Sequence, residues 1–247
     1  MLGDDGSGSE QSVADGITWA ISAGADIISM SLGSSQPSPV IYAAIQAACA
    51  AGKFIICAAG NDGEQAGQDT VDYPGRWKET IAVAAVDDTG QVADFSSRGP
   101  EVDIAAPGVN ILSTFLNGGY ARLSGTSMAT PFVSGVVALA LSKHRALGGA
   151  TPLSDVDDLR EHLQKSADAA GSGPNDPAYG WGLIDPTRLL AVDDIPPTTP
   201  ATDAIPALRM PLTLVIDGQP ITGAWVFTPD AATNSSAHAL LHQIAAG

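Results

Sequence analysis

The sequence predicts an α/β chain built on a doubly wound, mostly parallel sheet flanked by helices, with a small carboxy-terminal hairpin and helix appended. Two observations carry this expectation. From residue 9 to about 190, segments with the apolar spacing of helices alternate with short, near-continuous apolar runs. Each of those runs is closed by Gly, Asn, Asp or Pro, which is the pattern of strands buried on both faces of a parallel sheet.

Taken in order, a helix is expected over residues 9–23 and a strand over 26–30, which ends at Ser31-Leu32-Gly33. A second helix over 39–51 leads to a strand over 54–58, closed by Ala59-Gly60-Asn61-Asp62-Gly63. Strands over 80–86 and 102–105 follow, then helices over 127–145 and 154–167. Ligands of such sheets bind at the carboxyl ends of the strands, so a cleft is expected between the loops at 31–33 and 59–63.

Beyond this domain, expected over 1–190, lies a Pro-rich linker, 191–211, containing Pro196, Pro197, Pro200, Pro206 and Pro211. The remaining unit, 212–247, reads as a hairpin with strands at 212–216 and 221–227 around Asp217-Gly218-Gln219-Pro220, then a short helix over 230–244. That unit is too small to hold a core alone, so it docks on the main domain or begins something longer.

A 45% hydrophobic content suits a globular core in a chain of 247 residues. The formal net charge of -16 argues against nucleic acid and anionic membranes as partners and favours basic ligands. Cys49 and Cys57 lie in apolar surroundings and read as buried free thiols rather than a disulfide framework. No basic, apolar leader opens the chain and no apolar run is long enough to span a bilayer, so an internal fragment of a longer precursor and a product retained where it is made are both open.

Chemistry is concentrated at Gly125-Thr126-Ser127-Met128-Ala129-Thr130-Pro131. A hydroxyl flanked by small residues stands at the start of a helix whose apolar positions Val133, Val136, Val137, Ala140 and Leu141 have core spacing, so the helix dipole points at Ser127. This is the setting of a nucleophile, although a plain helix cap is the competing reading of the same serine.

With this motif, Leu2-Gly3-Asp4-Asp5-Gly6-Ser7-Gly8, Met30-Ser31-Leu32-Gly33, Ala58-Ala59-Gly60-Asn61-Asp62-Gly63, Phe95-Ser96-Ser97-Arg98-Gly99-Pro100, Ala106-Pro107-Gly108 and Tyr179-Gly180-Trp181-Gly182-Leu183-Ile184 occur in the order they have in subtilisin-like serine peptidases. The chain from Met1 to about Leu190 resembles the carboxy-terminal two thirds of such a catalytic domain. The resemblance implies a serine endopeptidase acting through an acyl-enzyme, with a polypeptide substrate and no cofactor required for the chemistry. It makes Ser127 the nucleophile and Asn61 the side-chain donor of the oxyanion hole, roles that suit an amide on a strand-end loop facing a serine at a helix start. Asn61 satisfying a tight turn is the alternative.

Substrate contacts implied by the same resemblance are Gly6-Ser7-Gly8 and Ser31-Leu32-Gly33, as two edges sandwiching an extended peptide, together with Thr126 beside the nucleophile. Asp62 at the rim and Asp72 before Tyr73-Pro74 belong to the wall and floor of the first specificity pocket. Asp72 replaces the small residue usual there, so an anionic pocket with preference for Lys or Arg before the scissile bond is expected. Asp72 capping a solvated turn is the other reading. Glu101 and Asp103 resemble a weak cation site of the family, completed by carbonyls near Gly75 and Trp77 and suited to structural calcium, against a solvated acidic edge.

The family's catalytic Asp and His belong to motifs that residues 1–247 do not contain. His144 lies 17 residues along the helix of Ser127, about 25 Å away by helical rise. His162, His238 and His242 are left open; the last two, four apart without the Glu of a zinc-peptidase motif, read as surface histidines. The expectation is therefore a site inactive in the isolated chain and completed by an amino-terminal half or companion chain. A non-catalytic peptide-binding or assembly module is the alternative. The location of this chain is left open, and a full-length family member is expected outside the cell.

Overall fold

The computed structural model describes residues 7–65, 67–147, 153–191, 208–216 and 219–227. Two compact units divide the chain, Met1–Asp194 and Ile195–Gly247.

In the first unit, helix α1 (Glu10–Ser22) starts where the Ser9 hydroxyl accepts the Ser12 N–H at 3.1 Å, satisfying one donor of the open first turn. It buries Ala14 and Ile17, three apart on one face. Helix α2 (Pro39–Ala50) begins with a proline, whose missing N–H costs nothing at a helix start, after the cap Ser38. The Ser38 hydroxyl also donates to Glu10 Oε2 at 2.6 Å, pinning the two helix starts together.

Strands β1 (Ile27–Met30), β2 (Phe54–Ala58), β3 (Ile81–Val86) and β4 (Val102–Pro107) form one parallel sheet in the order β1-β2-β3-β4. Alternation along β2 sorts its side chains. Ile55 and Cys57 face a cluster with Ala14, Ile17, Ala44, Ile45 and Ala48 of α1 and α2, whereas Phe54 and Ile56 face the opposite layer. That second layer is α3 (Thr126–Leu147), whose Ala129, Val133, Val136, Val137, Ala140 and Leu141 are buried with Ile81, Val83 and Ile104. Helices on both faces explain why every residue of β2 and β3 is buried.

Between β4 and α3 a hairpin of β5 (Ile111–Phe115) and β6 (Gly119–Leu123) projects into solvent. Nothing in the expectation above anticipated it. Its signal was the Asn117-Gly118 pair, both of positive φ (59° and 70°), between runs containing Ile111-Leu112 and Tyr120. Helices α4 (Val156–Ser166) and α5 (Pro186–Ala191) close the unit, the latter also unforeseen although Asp185 Oδ1 caps its start by accepting the N–H groups of Thr187 (2.8 Å) and Arg188 (3.0 Å).

In the second unit, β7 (Leu208–Ile216) and β8 (Gln219–Phe227) pair antiparallel from Leu208↔Phe227 to Ile216↔Gln219. The first strand thus starts four residues before the expected strand start at 212 and contains Pro211. A two-stranded ribbon has only edge strands, where a residue without an N–H is tolerated. The helix expected over 230–244, with His238 and His242, lies outside the described residues.

Candidate active site

The ends of β1 and β2 and the start of α3 converge. Ser127 is the second residue of α3 and half-buried, so its N–H is one of the first-turn donors that no helical carbonyl accepts. Its carbonyl is unusual for the opposite reason. Position i+4 is Pro131, which has no N–H to give, so the helix leaves the Ser127 C=O without its donor. The Ser31 hydroxyl, just past the end of β1, donates to that oxygen at 2.9 Å.

Asn61 is oriented from the helix start as well. The Thr126 N–H donates to Asn61 Oδ1 at 3.0 Å, and the Thr126 hydroxyl lies 3.1 Å from the same oxygen and 3.2 Å from Gly60 O. A backbone N–H only donates, so the atom facing it is the amide oxygen. Asn61 Nδ2 is left as the free donor, with no acceptor among the described residues, on a residue exposed to solvent. A fixed amide donor and an unused helix-start N–H around an accessible hydroxyl are the parts that stabilise negative charge on a substrate carbonyl oxygen. Thr126, expected among the substrate contacts, is fully buried. Its hydroxyl and N–H are engaged with Asn61 and Gly60, so the side chain faces these loop groups rather than solvent.

The loop after β2 folds back so that Ser34 and Tyr73 exchange backbone hydrogen bonds, both 2.9 Å, and the Asp72 N–H donates to Ala59 O at 2.7 Å. These bonds place Asp72 between the two strand ends. A Cβ on Gly33 would stand 2.8 Å from Asp72 Oδ2, and one on Gly60, whose φ is +114°, would stand 2.8 Å from the same oxygen and 2.7 Å from Ser97 Oγ. Only glycine leaves room for the carboxylate at both positions. Burial, and then the neighbouring charge of Asp62, push the Asp72 carboxyl above its ordinary value, while Arg76 opposes them. Asp62 is exposed at the rim, and its N–H donates to Ser97 Oγ at 3.1 Å. Ser97, buried and also donating its N–H to Gly60 O at 3.0 Å, underpins the loop at 59–63. Sequence reasoning missed this role although Ser97 stood in a recognised motif, because a serine in a loop does not disclose which loop it supports.

Of the remaining expected substrate contacts, Ser7, Gly8, Ser31 and Gly33 are exposed, whereas the Leu32 side chain packs partly buried against the α1–α2 cluster, so its backbone is what it offers to the cleft. Gly6 lies outside the described residues.

Glu101 and Asp103 do not share a cation shell. Asp103 is buried; its Oδ1 accepts Arg160 Nε at 2.8 Å and its Oδ2 accepts the Ala82 N–H at 2.8 Å, so both oxygens are committed. Burial raises its carboxyl pKa, opposed by Arg160 and the Ala82 N–H. Burial first, and then the nearby Asp69 carboxylate, raise the Glu101 carboxyl as well. Among the described residues no group of three or more His, Cys, Asp or Glu side chains is arranged to hold a metal. The expected carboxylate pair is replaced by an internal guanidinium at Asp103, and the solvated-edge alternative fails there too.

Neither described histidine can serve Ser127. His162, left open above, is 2% exposed in the core beside Leu159 and Leu163, with Nδ1 2.8 Å from Asp158 O, and His144 lies in the last turn of α3. Cys57 is buried and Cys49 half-buried, both free thiols. No described helix is long and apolar enough to cross a membrane.

Residues 1–182 match the family model described as Peptidase_S8, the subtilase family. The thermostable alkaline protease of Halalkalibacterium halodurans is 45% identical over 184 residues, covering 74% of this chain and 47% of the relative, and the subtilisin of Bacillus pumilus is 42% identical, covering 74% and 63%. The chain spans about half the length of most curated relatives it matches. Among solved structures, the self-cleaved protease domain of PatA superimposes with a TM-score of 0.64 at 32% identity, covering 74% of this chain and 68% of that one. The prenylagaramide maturation protease PagA gives 0.66 at 30% identity, covering 78% and 70%. A matched model over most of the chain, close relatives and the arrangement of Ser127 with Asn61 agree: the chain belongs to the subtilase family of serine peptidases.

Proposed function

We propose that residues 1–190 form the nucleophile-bearing part of a serine endopeptidase, completed by an Asp- and His-bearing segment from outside the described residues. The observation that carries this reading is the fixed orientation of Asn61, whose amide oxygen is held by Thr126 while Nδ2 is free to donate beside Ser127. In the reaction, Ser127 Oγ attacks the substrate carbonyl carbon as the supplied histidine takes its proton. Negative charge on the carbonyl oxygen is met by Asn61 Nδ2 and the Ser127 N–H. Collapse expels the amine, protonated by the histidine, and leaves an acyl-enzyme that water hydrolyses.

The substrate lies extended along Ser31-Leu32-Gly33, and its side chain before the scissile bond is Lys or Arg, received by Asp72 and Asp62. Two neighbouring carboxylates, one of them partly desolvated, favour a cation over Leu or Phe. An extracellular location for the whole protein belongs to the same reading.

Fluorophosphonate labelling followed by intact-mass analysis tests the chemistry. Slow labelling of this chain alone, accelerated by the upstream segment and abolished by Ser127→Ala, is expected. Fast labelling of the chain alone, or an adduct that survives Ser127→Ala, overturns it. The second reading, a peptide-binding module, is favoured by the core burial of His162 and by the placement of His144 in the last turn of the helix that Ser127 begins. Retained peptide binding with no acceleration by any Asp- and His-bearing segment would establish it. For the completed enzyme, equal cleavage after Arg and Leu would sink the basic preference.

A further inference from the structure

Five charged groups, Asp62, Asp69, Asp72, Arg76 and Glu101, influence one another electrostatically around Asp72, and one of them has the wrong sign for a basic pocket. Arg76 is the fourth residue after Asp72, and its N–H donates to the Asp72 carbonyl at 2.9 Å, so the chain itself brings a guanidinium next to the pocket carboxylate. A cation free to pair with Asp72 would cancel the charge that a basic substrate needs.

Arg76 is not free. Its Nε donates to Asp69 Oδ2 at 2.8 Å, its terminal nitrogen ion-pairs with the same oxygen, and that nitrogen also reaches Asp69 O at 3.2 Å. The guanidinium lies 5.6 Å from the centroid of the Tyr73 ring, itself packed on Trp77 at 5.1 Å. Asp69 is held in turn, because its Oδ1 accepts the Val71 N–H at 2.9 Å. Arg76 and Asp69 are each about one quarter exposed, so the pair is partly shielded from solvent. Glu101 is close enough that the Asp69 carboxylate, after burial, raises its carboxyl pKa. The balance at Asp72 reflects this arrangement: the repulsion from Asp62 exceeds the attraction from Arg76.

We propose that Asp69 is a specificity-positioning residue, which by engaging the Arg76 guanidinium leaves Asp72 and Asp62 uncompensated for a cationic substrate side chain. The inference rests on the basic preference argued above and names what maintains it. Asp69 does not touch substrate; it acts through Arg76.

The pocket lies within this chain, so binding of benzamidine, an aryl cation, tests the idea without catalysis. Asp69→Asn is the informative change, since its remaining oxygen still accepts the Val71 N–H while the charge that holds Arg76 is gone. Calorimetric titration of the 247-residue protein is expected to show benzamidine binding that Asp72→Asn abolishes and that Asp69→Asn weakens about fivefold or more, or ~1 kcal/mol. Arg76→Gln should bind at least as tightly as the parent, and the double variant Asp69→Asn/Arg76→Gln should return to the parent affinity, a restoration that a merely structural role of Asp69 would not produce.

Unchanged affinity in Asp69→Asn, or a double variant as weak as Asp69→Asn alone, overturns the inference while leaving the basic pocket standing. If the parent fails to bind, or Asp72→Asn binds as well as the parent, the basic pocket and the inference fall together. Should Asp69→Asn unfold, Arg76→Gln decides: fivefold weaker binding there overturns the role given to Asp69.

Discussion

Replacing Arg160 by Leu isolates a buried charge and tests what has taken the place of the expected cation. The Arg160 and Asp103 side chains are 24% and 11% exposed, and Nε meets Oδ1 at 2.8 Å while a terminal nitrogen reaches Thr80 O at 2.5 Å. Removing one member of such a pair leaves an uncompensated charge, a loss of about 3–5 kcal/mol at pH 7. A native domain has only about 5–15 kcal/mol in all, and for one of this size the melting temperature should fall by about 6–20 °C.

The pH dependence has a definite sign. Burial already holds the folded Asp103 pKa above the unfolded value of 3.8, so its contribution is full below that value and is lost as pH rises through the folded pKa. Arg160→Leu removes an attraction that opposed burial and raises that pKa further. The deficit of the variant should therefore be smallest below the unfolded value of 3.8 and grow as pH rises through the folded pKa. Urea unfolding at several pH values, with and without calcium, measures it. A loss below about 1 kcal/mol at pH 7, a deficit independent of pH, or rescue by calcium would refute the assignment of Arg160 as the internal counter-ion.

Asp176 gives the opposite pH dependence. It accepts from Ser172 N–H (2.7 Å), Ser172 Oγ (2.8 Å), Ala178 N–H (2.8 Å) and Tyr179 N–H (3.2 Å). Burial raises its pKa, but these bonds together outweigh burial and hold it below 3.8, so its stabilisation is present above that value and lost as pH falls through the folded pKa. Asp176→Asn should cost about 1–2 kcal/mol at pH 7 and less in acid, and equal losses at pH 7 and pH 3 in urea titrations would contradict this. Gly60→Ala adds a Cβ 2.7 Å from Ser97 Oγ at a φ of +114°, so it should lower stability by about 1–3 kcal/mol and displace Asp72, read as a lower melting temperature with weakened benzamidine binding. Leu163→Ala, at a fully buried position of α4, should cost about 2–5 kcal/mol while leaving benzamidine affinity unchanged, which thermal unfolding and calorimetry check together.

Much of the sheet was legible because its strands are buried on both faces. Runs such as Phe54 to Ala58 and Ile81 to Val86 have no polar residue to break them, and the core spacing of α3 was equally plain. The placements of Ser127 at a helix start and of Asn61 just past a strand end were legible because each adjoins an apolar run whose period shows where the element begins or stops. The hairpin at 111–123 was not, because exposed Leu112, Phe115, Leu116, Tyr120 and Leu123 carry no alternation of buried and solvent faces. Glu101 and Asp103 misled for a different reason. Spacing two apart shows that two carboxylates share a strand face, but not that Arg160, 57 residues later, will claim one of them. The Asp69–Arg76 pair was hidden likewise, since side-chain pairing across a loop has no period.

The backbone of the nucleophile is tied to the least protected strand of the sheet. Pro131 denies Ser127 O its helical donor, and Ser31 supplies one from the end of β1. A second tie joins Ser29 Oγ of β1 to Ser134 Oγ of α3 at 2.9 Å. Yet β1 pairs only with β2 among the described residues, so its other edge offers unpaired N–H and C=O groups. Beside its start lies a groove of about 560 Å³ lined by Ile27, Ala138 and Leu141, with Asp26 and Arg145 bridged at 2.7 and 2.8 Å across it. A segment that paired with this edge would stabilise β1, and through Ser31 it would fix the Ser127 carbonyl at the same time. The requirement for a base near Ser127 and the requirement for a neighbour on β1 are therefore met by one event on the proposed reading. On that reading, pairing at the free edge of β1 and completion of the site around Ser127 are coupled through the Ser31 hydroxyl.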